Sequence, residues 1–253
     1  MCLVLVVWRV HPTYPCLVAA NRDEFHARPT ARAEWWPDHP GILAGRDLKA
    51  GGTWLGVTRT GRFAALTNYR DPGQRRPDAP SRGALVTAIL ESGASVAEGL
   101  TYLRDVGANY DGFNLIFSDG ERLGIYESVL RRGRELGPGI YGLSNHLLDT
   151  PWPKVQNAKS RLEAALSGLT DTAPLLDLLR DDRPAPDAEL PRTGVSLEWE
   201  RLLSSAFVRA QDYGTRCSTI IRIDARGRAY FDEWSWNAVG ADIGRTHLQF
   251  ELG

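Results

Sequence analysis

Most apolar runs along this chain are short and strand-like, and helical spacing appears in only a few windows. Residues 3–10 predict a strand. His11-Pro12-Thr13-Tyr14-Pro15 breaks it, because proline cannot donate to a central ladder. Residues 16–20 predict a second strand, antiparallel to the first, ending in Asn21-Arg22-Asp23-Glu24. An antiparallel return brings those four polar residues back beside Cys2. Residues 27–52, with their Pro, Gly and Trp-Trp pairs, read as a long connection covering a site. Residues 53–58 and 62–67 form a hairpin around Arg59-Thr60-Gly61, and its second strand ends in Asn68-Tyr69-Arg70.

The helical windows follow. Residues 71–81 read as a surface loop, and 81–91 as a helix with Leu85, Val86, Ile89 and Leu90 on one face. Ser95-Val96-Ala97-Glu98 is a capping box that opens a second helix. Residues 113–117 and 123–126 make a hairpin, and 140–145 a short strand running into a loop. A helix spans 153–166, with Val155, Leu162, Ala165 and Leu166 inward, and a shorter one 172–180. Residues 181–194, rich in Pro and Asp, read as a mobile surface segment, and 198–203 fits helix or strand equally. A hairpin at 215–223 and 228–235 precedes a last strand at 247–252. This order predicts an α+β fold of mostly antiparallel sheets with helices outside, as one domain over residues 1–253.

Composition narrows the partners. The apolar fraction of 43% supports a substantial core, and a net charge of −1 without a basic block points away from nucleic acid. No window is long and apolar enough for stable membrane insertion, and the first residues lack a signal-peptide pattern. Three cysteines, Cys2, Cys16 and Cys217, are too few for a disulfide framework, and the five histidines lack metal-ligand spacing. A cytoplasmic, reducing setting is the expectation. The eight tryptophans pack cores and edges or line a pocket for a flat or apolar ligand.

Cys2 carries the sharpest chemistry. If Met1 is removed, thiol and amine sit on adjacent atoms, and both ordinarily titrate near pH 8. Taken alone, Cys2 reads more simply as an ordinary small residue in a buried strand. Asp23 can orient the amine, Asn68 and Asn145 can supply oxyanion donors, and Arg216 can fix Asp23 or a substrate carboxylate. Asn21, Arg22, His26, Trp54 and His146 are candidate substrate contacts.

Met1-Cys2, Asn21-Arg22-Asp23-Glu24-Phe25, Gly51-Gly52-Thr53-Trp54-Leu55-Gly56, Thr67-Asn68-Tyr69-Arg70 and Tyr141-Gly142-Leu143-Ser144-Asn145 together resemble the NRDE family, also called the transport and Golgi organisation family. The resemblance spans nearly the whole chain. It implies an N-terminal-nucleophile hydrolase-like αββα four-layer sandwich, and eukaryotic relatives associated with haem trafficking and with lipid or acyl-CoA metabolism. A more distant likeness, to choloylglycine hydrolase and penicillin V acylase, implies catalytic roles for Cys2, Asp23, Asn145 and Arg216, with Asn68 an approximate match. This chain departs from that pattern at Ala20, where those enzymes carry arginine; Arg22 lies nearby instead. The leading expectation is a cysteine amidohydrolase or acyl-transfer enzyme, needing no cofactor, for a small or lipid-like amide or thioester. The alternative is a carrier of haem or another hydrophobic ligand, with Cys2, His26 and His146 as axial ligands.

Overall fold

The computed structural model describes residues 2–74, 76 and 78–253. Met1 and two positions of the expected 71–81 loop therefore lie outside the described residues. The chain runs β1 (Cys2–Trp8), β2 (Cys16–Phe25), β3 (Thr30–Trp35), β4 (Ile42–Asp47), β5 (Leu55–Thr58) and β6 (Phe63–Asn68). Helices α1 (Gly83–Glu91) and α2 (Val96–Val106) come next, then β7 (Phe113–Ser118), β8 (Leu123–Glu127), β9 (Arg132–Leu136) and β10 (Gly139–Leu143). Helices α3 (Pro153–Leu166), α4 (Ala173–Leu179) and α5 (Leu197–Leu202) precede β11 (Tyr213–Ile223), β12 (Arg228–Trp236) and β13 (Asp242–Glu251).

The strands form two sheets whose described neighbours are all antiparallel. One has the order β10-β1-β2-β11-β12-β13, and the other is a meander from β3 to β9. Every residue of β1 is buried, so the strand is apolar on both faces. Val4, Val6 and Trp8 join an apolar cluster shared with the second sheet, through Leu43, Val57, Phe63 and Ile116. Leu3, Leu5 and Val7 face the other way, onto Val155, Ala158 and Leu162 of α3 and Leu175 of α4. A third cluster packs Leu85, Val86 and Ile89 of α1 and Leu103 of α2 on the second sheet. The predicted capping box closes α2: Glu98 N donates to Ser95 Oγ, and Ser95 N donates to the Glu98 carboxylate.

Three departures from the expected elements, at β3, β9 and β13, have a common cause. The 27–52 connection contains β3 and β4, the first a sheet edge on which only Ala33 is buried. β9 (Arg-Gly-Arg-Glu-Leu) is the opposite edge, with no buried residue. β13 begins at Asp242, earlier than expected, and also forms an edge. Edge strands show weak alternation because one flank meets water. Residues 198–203 resolve as helix, since Ser196 accepts from Trp199 N. The 181–194 segment is tied down at several points: Ala185 N donates to Ser204 Oγ, and Thr193 N to Glu200.

Two glycines bring the second sheet close to its neighbours. A Cβ on Gly52 would lie 2.5 Å from the Gly83 carbonyl carbon, where α1 begins. One on Gly45 would lie 2.5 Å from the Trp54 ring, so this strand position must be bare for Trp54 to lie flat on β4.

Candidate functional site

The β1–β2 ladder pairs Cys2 with Arg22, which is the return the sequence predicted. The β2–β11 ladder pairs Arg22 with Cys217 and Asp23 with Thr215, with a register slip between Thr215 and Cys217. Cys2, Arg22 and Asp23 are all buried. The Asp23 backbone N–H lies on the side of the Cys2 sulfur and favours its thiolate. Burial pushes the Cys2 thiol up and the Asp23 charge adds to this, while that N–H and Arg22 oppose it.

Asp23 is held from two sides. Thr215 Oγ1 donates to its Oδ1 at 2.7 Å, and Tyr213 Oη donates to its backbone carbonyl at 3.1 Å. Burial raises the Asp23 carboxyl, opposed by Lys154, by the Thr215 bond and by Arg70. Tyr213 is held well above its ordinary value by burial and by the Asp23 charge. Arg70, just beyond β6, pairs with Glu200 of α5 at 2.7 Å, and both are buried.

Asn145 lies in the loop after β10 and is fully buried. Its Nδ2 donates to the Asn68 carbonyl at 2.8 Å, so the two predicted asparagines do meet, with Asn68 presenting its backbone to the contact. Ser144 Oγ donates to the Cys2 carbonyl at 3.0 Å and so ties this loop to β1. From the second sheet, Asn114 Nδ2 donates to the His146 carbonyl at 2.7 Å, and Leu148 N donates to Glu127 at 3.0 Å. The loop is thus pinned from both sheets. The His146 ring stands between Tyr69 and Trp152, with centroids at 5.1 and 5.8 Å, and burial lowers its basicity.

The remaining predicted residues divide. Arg22 donates to Thr30 Oγ1 and lies 4.2 Å over the Trp54 ring, so these two candidates form one face of the space between the sheets. Asn21 points to the helix side. Both its N–H groups go to the carbonyls of Leu179 and Ala206, and its Oδ1 accepts from Ser218, so it is a structural clamp. Arg216 falls at the register slip, and its described hydrogen bonds go to the carbonyls of Phe25, His26 and Arg28. Thr215 takes the place beside Asp23 that was expected for Arg216. His26 sits in the same turn, with Nε2 on the Ala210 carbonyl at 3.2 Å. Among the described residues no group of three His, Cys, Asp or Glu could hold a metal ion, and no helix is long and apolar enough to cross a membrane.

Sequence reasoning missed Lys154, Arg70, Thr215 and Ser144. A signal for Lys154 was present: with Ala158 and Leu162 it repeats at four-residue spacing along the buried stripe of α3.

A family model described as Transport and Golgi organisation 2 matches residues 1–238. The chain belongs to that family. A Transport and Golgi organization protein 2 homolog from Bos taurus is 39% identical over 286 residues, covering 100% of this chain and 99% of the relative. The Homo sapiens homolog is 39% identical over 93% of each chain, and the Drosophila melanogaster Transport and Golgi organization protein 2 is 28% identical over 98% of each. Among solved structures, a Caenorhabditis elegans N-acylethanolamine-hydrolyzing acid amidase ortholog superposes with a TM-score of 0.47 at 11% identity, over 87% of this chain and 92% of that one. A variant of conjugated bile acid hydrolase from Clostridium perfringens gives 0.45 at 12% identity, over 99% and 98%. Superpositions this loose carry no chemistry across.

Proposed function

We propose that this family member is a cysteine hydrolase of the N-terminal-nucleophile type, built as a single αββα domain, with Cys2 as its nucleophile once Met1 is removed. The observation that carries the reading is the buried meeting of Cys2 with Arg22 and Asp23, set by the β1–β2 ladder that places Cys2 opposite Arg22. A cysteine serving only as packing does not need an ionisable cluster around it; perturbed groups gathered at one point mark a chemical site.

In this reading the α-amine of Cys2 accepts the thiol proton, and the sulfur attacks the carbonyl carbon of an amide or thioester. Charge develops on the carbonyl oxygen, where the Asn145 amide supplies a donor. The C–N or C–S bond breaks, and the leaving group departs with the proton held by the amine. Water then attacks the Cys2 thioester, giving the carboxylic acid and the free thiol. Asp23 orients the amine. Arg22, lying over the Trp54 ring, and His146 are the side chains that would contact a small or lipid-like acyl group.

Haem fits these residues poorly. His26 Nε2 is engaged by the Ala210 carbonyl, and the Cys2 sulfur is buried against Asp23 N–H, which leaves His146 as the one candidate ligand of the three without a described contact at Nε2.

The test is acylation of purified protein by p-nitrophenyl acetate, with the adduct mapped by mass spectrometry and the N-terminal mass read in the same run. A single adduct on a Met1-free Cys2 is expected. Unchanged labelling of a Cys2→Ala variant, or an N-terminus that keeps Met1, would overturn the reading.

A further inference from the structure

Lys154 is the second residue of α3, directly after Pro153, which starts the helix where a missing N–H costs nothing. Its side chain is 3% exposed, and among the described residues Nζ has no hydrogen-bond partner. An ammonium without partners in a dry interior is costly, and a lysine on a surface helix would ordinarily extend its chain to water. Here it points inward along the stripe of Ala158 and Leu162, beneath β1 and β2.

The titratable and charged groups facing it come from several elements. Cys2 of β1, Asp23 of β2 and Arg70 beyond β6 all act on its charge. Tyr213 of β11 shares the cluster around Asp23, and the charge of Arg70 is matched by Glu200 of α5. On the outer side, Lys154 borders a recess of about 20 Å³, with Arg161, Asp181, Arg183 and Ser204 at its walls. That is room for roughly one water. Burial lowers the lysine to about 8; Asp23 pulls the other way, and Arg70 adds to the lowering.

We propose that Lys154 is a positioning residue of the Cys2 site, whose buried ammonium keeps Asp23 ionised so that the carboxylate can hold the Cys2 amine. This rests on the reading of Cys2 as an amine-activated nucleophile. Burial alone pushes Asp23 toward its neutral form, and a neutral Asp23 cannot stabilise the ammonium that the Cys2 amine becomes on taking the thiol proton; the positive charge of Lys154 is one of the effects that hold Asp23 ionised.

The experiment is the pH profile of Cys2 acylation by p-nitrophenyl acetate in wild type, Lys154→Met and Lys154→Arg, with the melting midpoint of each measured alongside. In Lys154→Met the acid limb moves to higher pH by about one pH unit, and in Lys154→Arg it returns towards wild type. A lysine with only a structural role would change the melting midpoint and leave the limb in place, and that result overturns the proposal. Should Lys154→Met not fold, NMR of ¹³C-labelled lysine in the wild-type protein reads Nζ directly. Asp23→Asn must then lower its titration midpoint, and an unmoved midpoint overturns the proposal equally. Labelling that persists in Cys2→Ala would instead sink the nucleophile reading, whatever Lys154 does.

Discussion

Cys2 and Cys16 sit at opposite ends of the same pair of strands, one paired with Arg22 and the other with Trp8. Both are buried. Around Cys16 lie Trp8, Val18 and Ile223, and burial alone pushes its thiol up to about 12. Around Cys2, where β1 begins, β2 carries the polar residues Arg22 and Asp23. Burial raises both thiols, but only at Cys2 do nearby groups oppose it. Burial by itself makes a cysteine inert, and charged or polar neighbours are what can change that.

The strongest way to break this comparison is to remove each cysteine in turn. Cys2→Ala should lower the hydrolysis of p-nitrophenyl acetate at the site by about 10⁴-fold, since a nucleophile's loss leaves only binding and oxyanion stabilisation. Cys16→Ala should keep turnover and cost about 1 kcal/mol in urea unfolding, the price of a small cavity. Equal losses of activity would erase the distinction.

Much of the Cys2 end could be read from the chain itself. The turn at residues 11–15 forces β2 back on β1, and a count along the two strands places Asp23 near Cys2. The asparagines followed from strand ends in the same way. Arg216 could not be placed, because the slip between Thr215 and Cys217 adds one residue to the ladder, and alternation carries no mark of such a bulge. Lys154 was overlooked because a charged side chain on a helix is expected to face water, although its spacing from Ala158 and Leu162 said otherwise. Edge strands β3 and β9 were illegible because water on one flank relaxes the need for apolar residues.

A smaller effect should follow at Asn145. Asn145→Ala should lower kcat for the same ester by about 10²-fold, as for the loss of one oxyanion donor, with the melting midpoint as the control. An unchanged kcat would move the oxyanion contact elsewhere.

The smallest effect separates the two ends through stability. Glu127 supports the loop that carries Asn145, accepting from Leu148 N, and also pairs with Arg132 and Arg134 of β9. Burial raises its carboxyl, but these partners outweigh it and hold the group below its ordinary 4.5. Its contribution is therefore present above that value and lost as pH falls through the folded one. Glu127→Gln should cost about 2 kcal/mol in urea unfolding at pH 7, and the gap from wild type should shrink below about pH 4. A gap constant with pH would show that the carboxylate charge is not what holds the loop.

The slip at Arg216 has a consequence for the whole β11 strand. On its far side Cys217 and Thr219 address Glu233, which in turn receives the Ala33 N–H of the other sheet. On its near side Thr215 addresses Asp23, beneath the helices. One strand is thus read in two frames, with Arg216 as the inserted letter. Deleting that letter would join the two frames into one ladder, with Thr215 still opposite Asp23 and Cys217 opposite Arg22, and would take away the guanidinium that ties β11 to the carbonyls of Phe25, His26 and Arg28.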